Sequence, residues 1–177
     1  MVGVLPTDTL YGVVASALNE EAVRRVYALK GRTPTKPCII LIPSPEEVAA
    51  FGVTLSVERR EVLARYWPGP VSIILSCGPD VPEYLHRGTG TLAFRVPNDE
   101  RLASFLRRSG PLIAPSANPE GLQPAETIEA AKEYFGTRVD FYLDGGVRAG
   151  APSKLIALDE HGSVTVLRDA ALPPPNG

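Results

Sequence analysis

Histidine and cysteine are scarce, two of each in 177 residues. His86 and His161 fall in turn-rich stretches and read as exposed bystanders, while Cys38 and Cys77 sit inside apolar runs, where a buried, inert thiol is the common case. No group of His, Cys, Asp and Glu has metal-ligand spacing, and no nucleophile, base and orienting residue form a set. The sequence therefore offers neither a resident metal site nor covalent catalysis. A basic leader and a long apolar run are also lacking, which removes support for secretion or membrane insertion and leaves the cytoplasm as the expected location. The net charge of −2 argues against broad nucleic-acid affinity, which needs many Lys and Arg contacts to phosphate, but allows a local basic pocket. Neither a repeat nor a linker interrupts the chain. With 44% hydrophobic residues, this length fits one domain that buries roughly 70% of its extended-chain surface.

Lysine is rare too: 14 Arg but 4 Lys, and three of those, Lys30, Lys36 and Lys154, lie in the polar motifs that stand out. A retained Lys marks a place suited to a compact point charge. The densest motif spans residues 4–36. Val4-Leu5 breaks into Pro6-Thr7-Asp8-Thr9-Leu10-Tyr11-Gly12, and one helix later Lys30, Arg32 and Lys36 arrive together around Gly31 and ahead of Pro37. The intervening helix has readable ends: Asn19 as the N-cap, Glu20 and Glu21 in the first turn, Gly31 as the left-handed stop. Three cations held by a packed helix and bracketed by Pro34 and Pro37 suit a polyanion such as a triphosphate.

Further along, Cys38–Ile42 and Val71–Leu75 read as buried strands. Between them, Ser44 is expected to cap a short helix that ends at Gly52, and Ser56 to open another that ends before Pro68. Residues 78–90 read as turns. In 91–96, Thr91, Ala93 and Arg95 share one strand face, with Leu92, Phe94 and Val96 on the other. A mid-strand Arg between apolar neighbours is costly to bury alone, so Arg95 calls for a carboxylate. A helix over 99–108, a strand Leu112-Ile113-Ala114, a helix over 125–135 and strands over 139–143, 154–158 and 164–168 complete the pattern. Ser116 and Asn118, in Pro115-Ser116-Ala117-Asn118-Pro119, make good turn chemistry and could equally hold a ligand. Helices alternating with strands and a closing hairpin predict an α/β domain with a mixed sheet over residues 1–171, followed by a Pro-rich tail at 172–177 expected to be disordered.

The combination of Pro6-Thr7-Asp8-Thr9-Leu10-Tyr11-Gly12 with Lys30-Gly31-Arg32, Tyr66-Trp67-Pro68-Gly69-Pro70, Phe94-Arg95-Val96-Pro97, Ala114-Pro115-Ser116-Ala117-Asn118, Leu143-Asp144-Gly145-Gly146 and Val166-Leu167-Arg168 resembles the YrdC/Sua5 family. Its members prepare threonylcarbamoyl-AMP for tRNA modification. The resemblance implies a single-domain twisted, open mixed sheet with flanking helices and a concave ligand-binding face. It implies ATP, L-threonine and bicarbonate as substrates, Mg²⁺ held mainly through the ATP phosphates, and downstream tRNA-modifying proteins as partners, with at most weak contact to tRNA itself. Residue by residue, it implies ATP contacts from Lys30, Arg32, Lys36, Thr91, Ser116, Asn118 and Arg168, with Lys30 and Arg32 catalytic. L-Threonine would meet Thr9, Arg95, Ala114 and Ser153.

Three positions depart from the family pattern: Leu41 where His is frequent, Glu120 where Ser is usual, and Lys154 instead of Thr after Ser153. The chain is expected to be the short type, beginning at the first strand and without the extra C-terminal domain of the longer Sua5 proteins. A non-catalytic or differently specific relative that binds nucleotide or RNA through the same face is the alternative.

Overall fold

The computed structural model describes residues 1–169. One nine-stranded sheet runs through it in the order β7-β1-β2-β6-β3-β5-β4-β8-β9. Its strands are β1 (Val2–Pro6), β2 (Tyr11–Ser16), β3 (Ile39–Leu41), β4 (Val71–Ser76), β5 (Thr91–Arg95), β6 (Leu112–Ile113), β7 (Phe141–Tyr142), β8 (Lys154–Leu158) and β9 (Val164–Arg168). Three neighbouring pairs are parallel, β1/β7, β3/β5 and β4/β8, and the other five antiparallel. The sheet is thus mixed and open, as the alternation of elements predicts. β2 is an addition to the sequence reading: it pairs with β1 through a tight turn at residues 7–10, register Pro6↔Tyr11.

Helices are α1 (Glu20–Lys30), α2 (Val57–Ala64), α3 (Glu83–His86), α4 (Glu100–Ser109) and α5 (Ile128–Phe135). α1 has the expected ends: the Asn19 side chain accepts from the Ala22 amide at 2.8 Å, and Gly31 stops the helix at φ 57°. Ser56 and Asp99 cap α2 and α4 in the same way. Three expectations change. Ser44 makes no capping bond, and residues 45–51 form a 3₁₀ helix. α5 starts at Ile128 because Thr127 caps it. The 78–90 stretch contains α3, after which the His86 imidazole Nδ1 accepts from the amides of Gly88 and Gly90, so His86 organises a turn and is no bystander. The 172–177 tail lies outside the described residues.

Strand alternation divides the apolar side chains between two faces. Val2, Val4, Val13, Ala15, Ile40, Ile73, Phe94 and Ile113 pack on one face, under α1 and α5. The opposite face carries a smaller cluster, Leu5, Val14, Leu41 and Leu112 with Leu102 and Leu106 of α4. α4 covers part of this second face, and the remainder carries the cleft described below. Leu41, the first departure, is fully buried in that cluster, so an apolar residue there serves packing. Leu41→Ala should lower the unfolding free energy by about 2–5 kcal/mol, the range for a buried Leu that leaves a cavity. Urea titration measures it, and a loss under about 1 kcal/mol would mean the α4 contact is loose.

Candidate functional site

On the second face, the ends of several elements enclose a cleft of about 180 Å³. The β1–β2 turn contributes Thr7 and Thr9, the end of β5 Arg95, and the segment after β6 Ala114 and Ser116. Ser153, just before β8, and Arg168, at the end of β9, close the other side, and Arg32 reaches in from the loop after α1. The loop ahead of Ser153 lies directly on the 7–9 turn: a Cβ on Gly150 would stand 2.4 Å from the Thr9 carbonyl oxygen, a spacing that any residue but glycine would push apart.

At the bottom lies a buried ion pair. Arg95 and Asp8 side chains are each 5% exposed, with Nη2 to Oδ1 at 3.1 Å. The same Nη2 donates to Thr7 Oγ1 at 3.3 Å, and the second Asp8 oxygen accepts from the Asn98 amide at 3.1 Å. Burial pulls the guanidinium below its ordinary pKa and Asp8 opposes the shift. Arg95 Nε has no hydrogen-bond partner among the described residues. The carboxylate that Arg95 calls for is therefore in the chain itself, and it engages Nη2 alone, leaving other guanidinium donors without a hydrogen bond among the described residues. Ser153 is positioned from both sides: its hydroxyl lies 2.8 Å from that of buried Ser72, and its carbonyl accepts from Arg168 Nε and Nη2 at 3.2 and 2.9 Å. Among the described residues neither Arg168 nor Arg32 meets a carboxylate; Arg32 donates to the carbonyls of Lys36 and Pro37.

A family model for Sua5, YciO and YrdC, described as telomere recombination, matches residues 1–170. The chain belongs to the Sua5/YciO/YrdC family. A threonylcarbamoyl-AMP synthase of Pyrococcus abyssi is 36% identical over 171 residues, 95% of this chain and 50% of that protein. One from Halorhodospira halophila is 32% identical over 141 residues, 79% and 74% of the two chains. The crystal structure of P. abyssi Sua5 complexed with L-threonine matches with a TM-score of 0.87 at 33% identity, covering 97% of this chain and 51% of that one. This chain thus spans about half the length of the P. abyssi protein.

Within this Sua5/YciO/YrdC chain, the residues expected to touch threonine (Thr9, Arg95, Ala114 and Ser153) all line the cleft, joined by Arg32, Ser116 and Arg168. The other four lie outside it. Thr91 sits at the far end of β5, roughly 13 Å from Arg95 at 3.3 Å per residue, bonded to Thr89; sharing a strand face did not bring the two together. The amide of Asn118 is spent on its own turn, donating to the carbonyls of Pro119 and Leu122 at 2.9 and 2.7 Å. Lys36 is ion-paired with Glu120 at 2.6 Å. Lys30 is the last residue of α1 and 3% exposed, whereas its place before Gly31 suggests an open loop position. Its ammonium donates to the carbonyls of Ser116 and Asn118.

Lys30 thus forms a strut between α1 and the Ser116–Asn118 turn, and the three cations have different partners among the described residues. Sequence reasoning missed Asp8 as the partner of Arg95 and, though it marks Glu120 as a departure, missed that residue's contact with Thr33 and Lys36; the demand of a buried Arg for a carboxylate is the signal for Asp8. Burial, with Arg32 close by, holds Lys30 at about 8, below the ordinary 10.5. Below pH 8 both folded and unfolded forms hold the proton and the cost of burying the charge is constant. Between about 8 and 10.5 the unfolded chain binds more protons, so stability rises with pH. Relative to Lys30→Met, the wild-type protein should gain up to about 3 kcal/mol across that window, at 1.36 kcal/mol per unit. Denaturant melts from pH 7 to 10.5 test this, and parallel curves for the two proteins would contradict it.

Proposed function

We propose that this chain is an L-threonylcarbamoyladenylate synthase, condensing L-threonine, bicarbonate and ATP into threonylcarbamoyl-AMP and pyrophosphate for N6-threonylcarbamoyladenosine in tRNA. The observation that supports it is convergence: the expected threonine contacts and the cations Arg32 and Arg168 share one small cleft, so an amino acid and a phosphoryl group would be neighbours. At about 180 Å³, the space suits an amino acid, with the nucleotide extending outward past Arg32 and Ser116. The threonine carboxylate would take the Arg95 guanidinium donors that Asp8 and Thr7 leave open, with Thr9 and Ser153 hydroxyls orienting the amine and side chain. Bicarbonate loses water to give CO₂, the amine takes this up and gives off a proton to become a carbamate, and a carbamate oxygen attacks the α-phosphate as the bond to pyrophosphate breaks. No side-chain nucleophile enters, so catalysis comes from positioning and charge neutralisation. Asp8, the carboxylate at the cleft floor, is committed to Arg95, and the described residues hold no group of three or more His, Cys, Asp and Glu suited to a metal. Magnesium would therefore enter with ATP, on the phosphates.

The deciding assay is exchange of labelled pyrophosphate into ATP. Exchange dependent on both L-threonine and bicarbonate is expected; nucleotide binding without it would favour the non-catalytic reading. Within an active protein, Arg95→Lys keeps the charge but not the planar fork of donors. It should raise the KM for L-threonine tenfold or more and that for ATP much less. Equal losses for both substrates would assign Arg95 to the phosphates or the fold.

A further inference from the structure

The loop after α1 is tied to the 116–120 turn by one carboxylate, that of Glu120. Three donors of different kinds converge on it: the Thr33 amide, the Thr33 hydroxyl at 3.0 Å from both oxygens, and the Lys36 ammonium at 2.6 Å. The turn is set from its other end by the Glu120 amide, which donates to the Lys30 carbonyl at 2.7 Å. These donors hold Glu120 well below the usual carboxylate range, at about 2. A backbone N–H, a hydroxyl and an ammonium closing on one anion from a short loop is the donor set of an oxyanion site. Arg32, in the same loop, lines the cleft and has no carboxylate among the described residues.

We propose that Glu120 is a built-in competitor for phosphate: its carboxylate occupies the donors of Thr33 and Lys36 that the terminal phosphates of a nucleoside triphosphate would take. The proposal rests on the synthase reading for the identity of the triphosphate. On binding, the polyphosphate, with several oxygens and more than one negative charge, displaces the single carboxylate, and the freed Glu120 swings to solvent. Repulsion between phosphate and carboxylate makes the two states exclusive. Glu120 would thus set the affinity for the polyphosphate end and assist release of pyrophosphate by recapturing its donors. The departure from the usual Ser then weakens product binding at a loop that is otherwise strongly cationic.

Calorimetric titration with inorganic tripolyphosphate, which carries no nucleoside and needs no turnover, tests this apart from the synthase reading. Glu120→Gln and Glu120→Ala should each bind tripolyphosphate at least fivefold more tightly than wild type, and adding Lys36→Ala to Glu120→Gln should remove the gain. Circular dichroism checks that each variant is folded. Equal or weaker binding by both folded Glu120 variants would overturn the proposal and leave Glu120 as a latch that shapes the loop. That result would leave the exchange assay untouched, while absent exchange with tighter tripolyphosphate binding would fail the synthase reading alone.

Discussion

The buried pair of Asp8 and Arg95 is the constraint on which the cleft depends. Its carboxylate belongs to the β1–β2 turn and also accepts from the Asn98 amide, and its guanidinium stands at the end of β5, so one ion pair ties the β1–β2 turn to the 95–98 segment, far away in sequence. Either partner alone would be a buried unpaired charge, costing about 3–5 kcal/mol. A pure packing role would be met as well by two apolar residues. Keeping the charges leaves the floor with a guanidinium whose Nε has no partner among the described residues.

A second electrostatic arrangement shapes the entrance. Lys30 and Glu120 connect the α1 end and the 116–120 turn in opposite senses: the ammonium of one reaches carbonyls of the turn, and the carboxylate of the other reaches donors of the loop. The result is a brace in which neither charge is free, set beside Arg32, which has no carboxylate among the described residues. What the sequence presents as three equivalent cations is, in space, a strut, a cleft-lining group and a latched group. Burial makes the difference: Lys30 is 3% exposed, whereas the Lys36 side chain is 59% exposed.

Much of this architecture is legible along the chain because it is local. Caps at Asn19 and Ser56, the glycine stop at Gly31 and the period-two run at 91–95 are short-range features, and each appears where its chemistry places it. The residues that family resemblance implies for threonine, Thr9, Arg95, Ala114 and Ser153, line one cleft, a grouping that spacing alone does not supply. Illegible were the contacts made across long separations: Asp8 to Arg95, Glu120 to Lys36, Lys30 to the turn at 116–118. β2 escaped because Tyr11–Ser16 follows its partner after a turn too tight to register as a boundary. Thr91 shows the converse error, since a shared strand face fixes direction but not distance.

The central claim is that the cleft over the Asp8–Arg95 pair is where an amino acid is held. A crystal structure of this protein grown with L-threonine tests it directly. The account predicts the ligand's carboxylate about 3 Å from the Arg95 guanidinium, beside the Thr9 and Ser153 hydroxyls, with Asp8 still paired to Arg95. Threonine bound elsewhere, or a carboxylate held by Arg168 or Arg32 with Arg95 untouched, would contradict it.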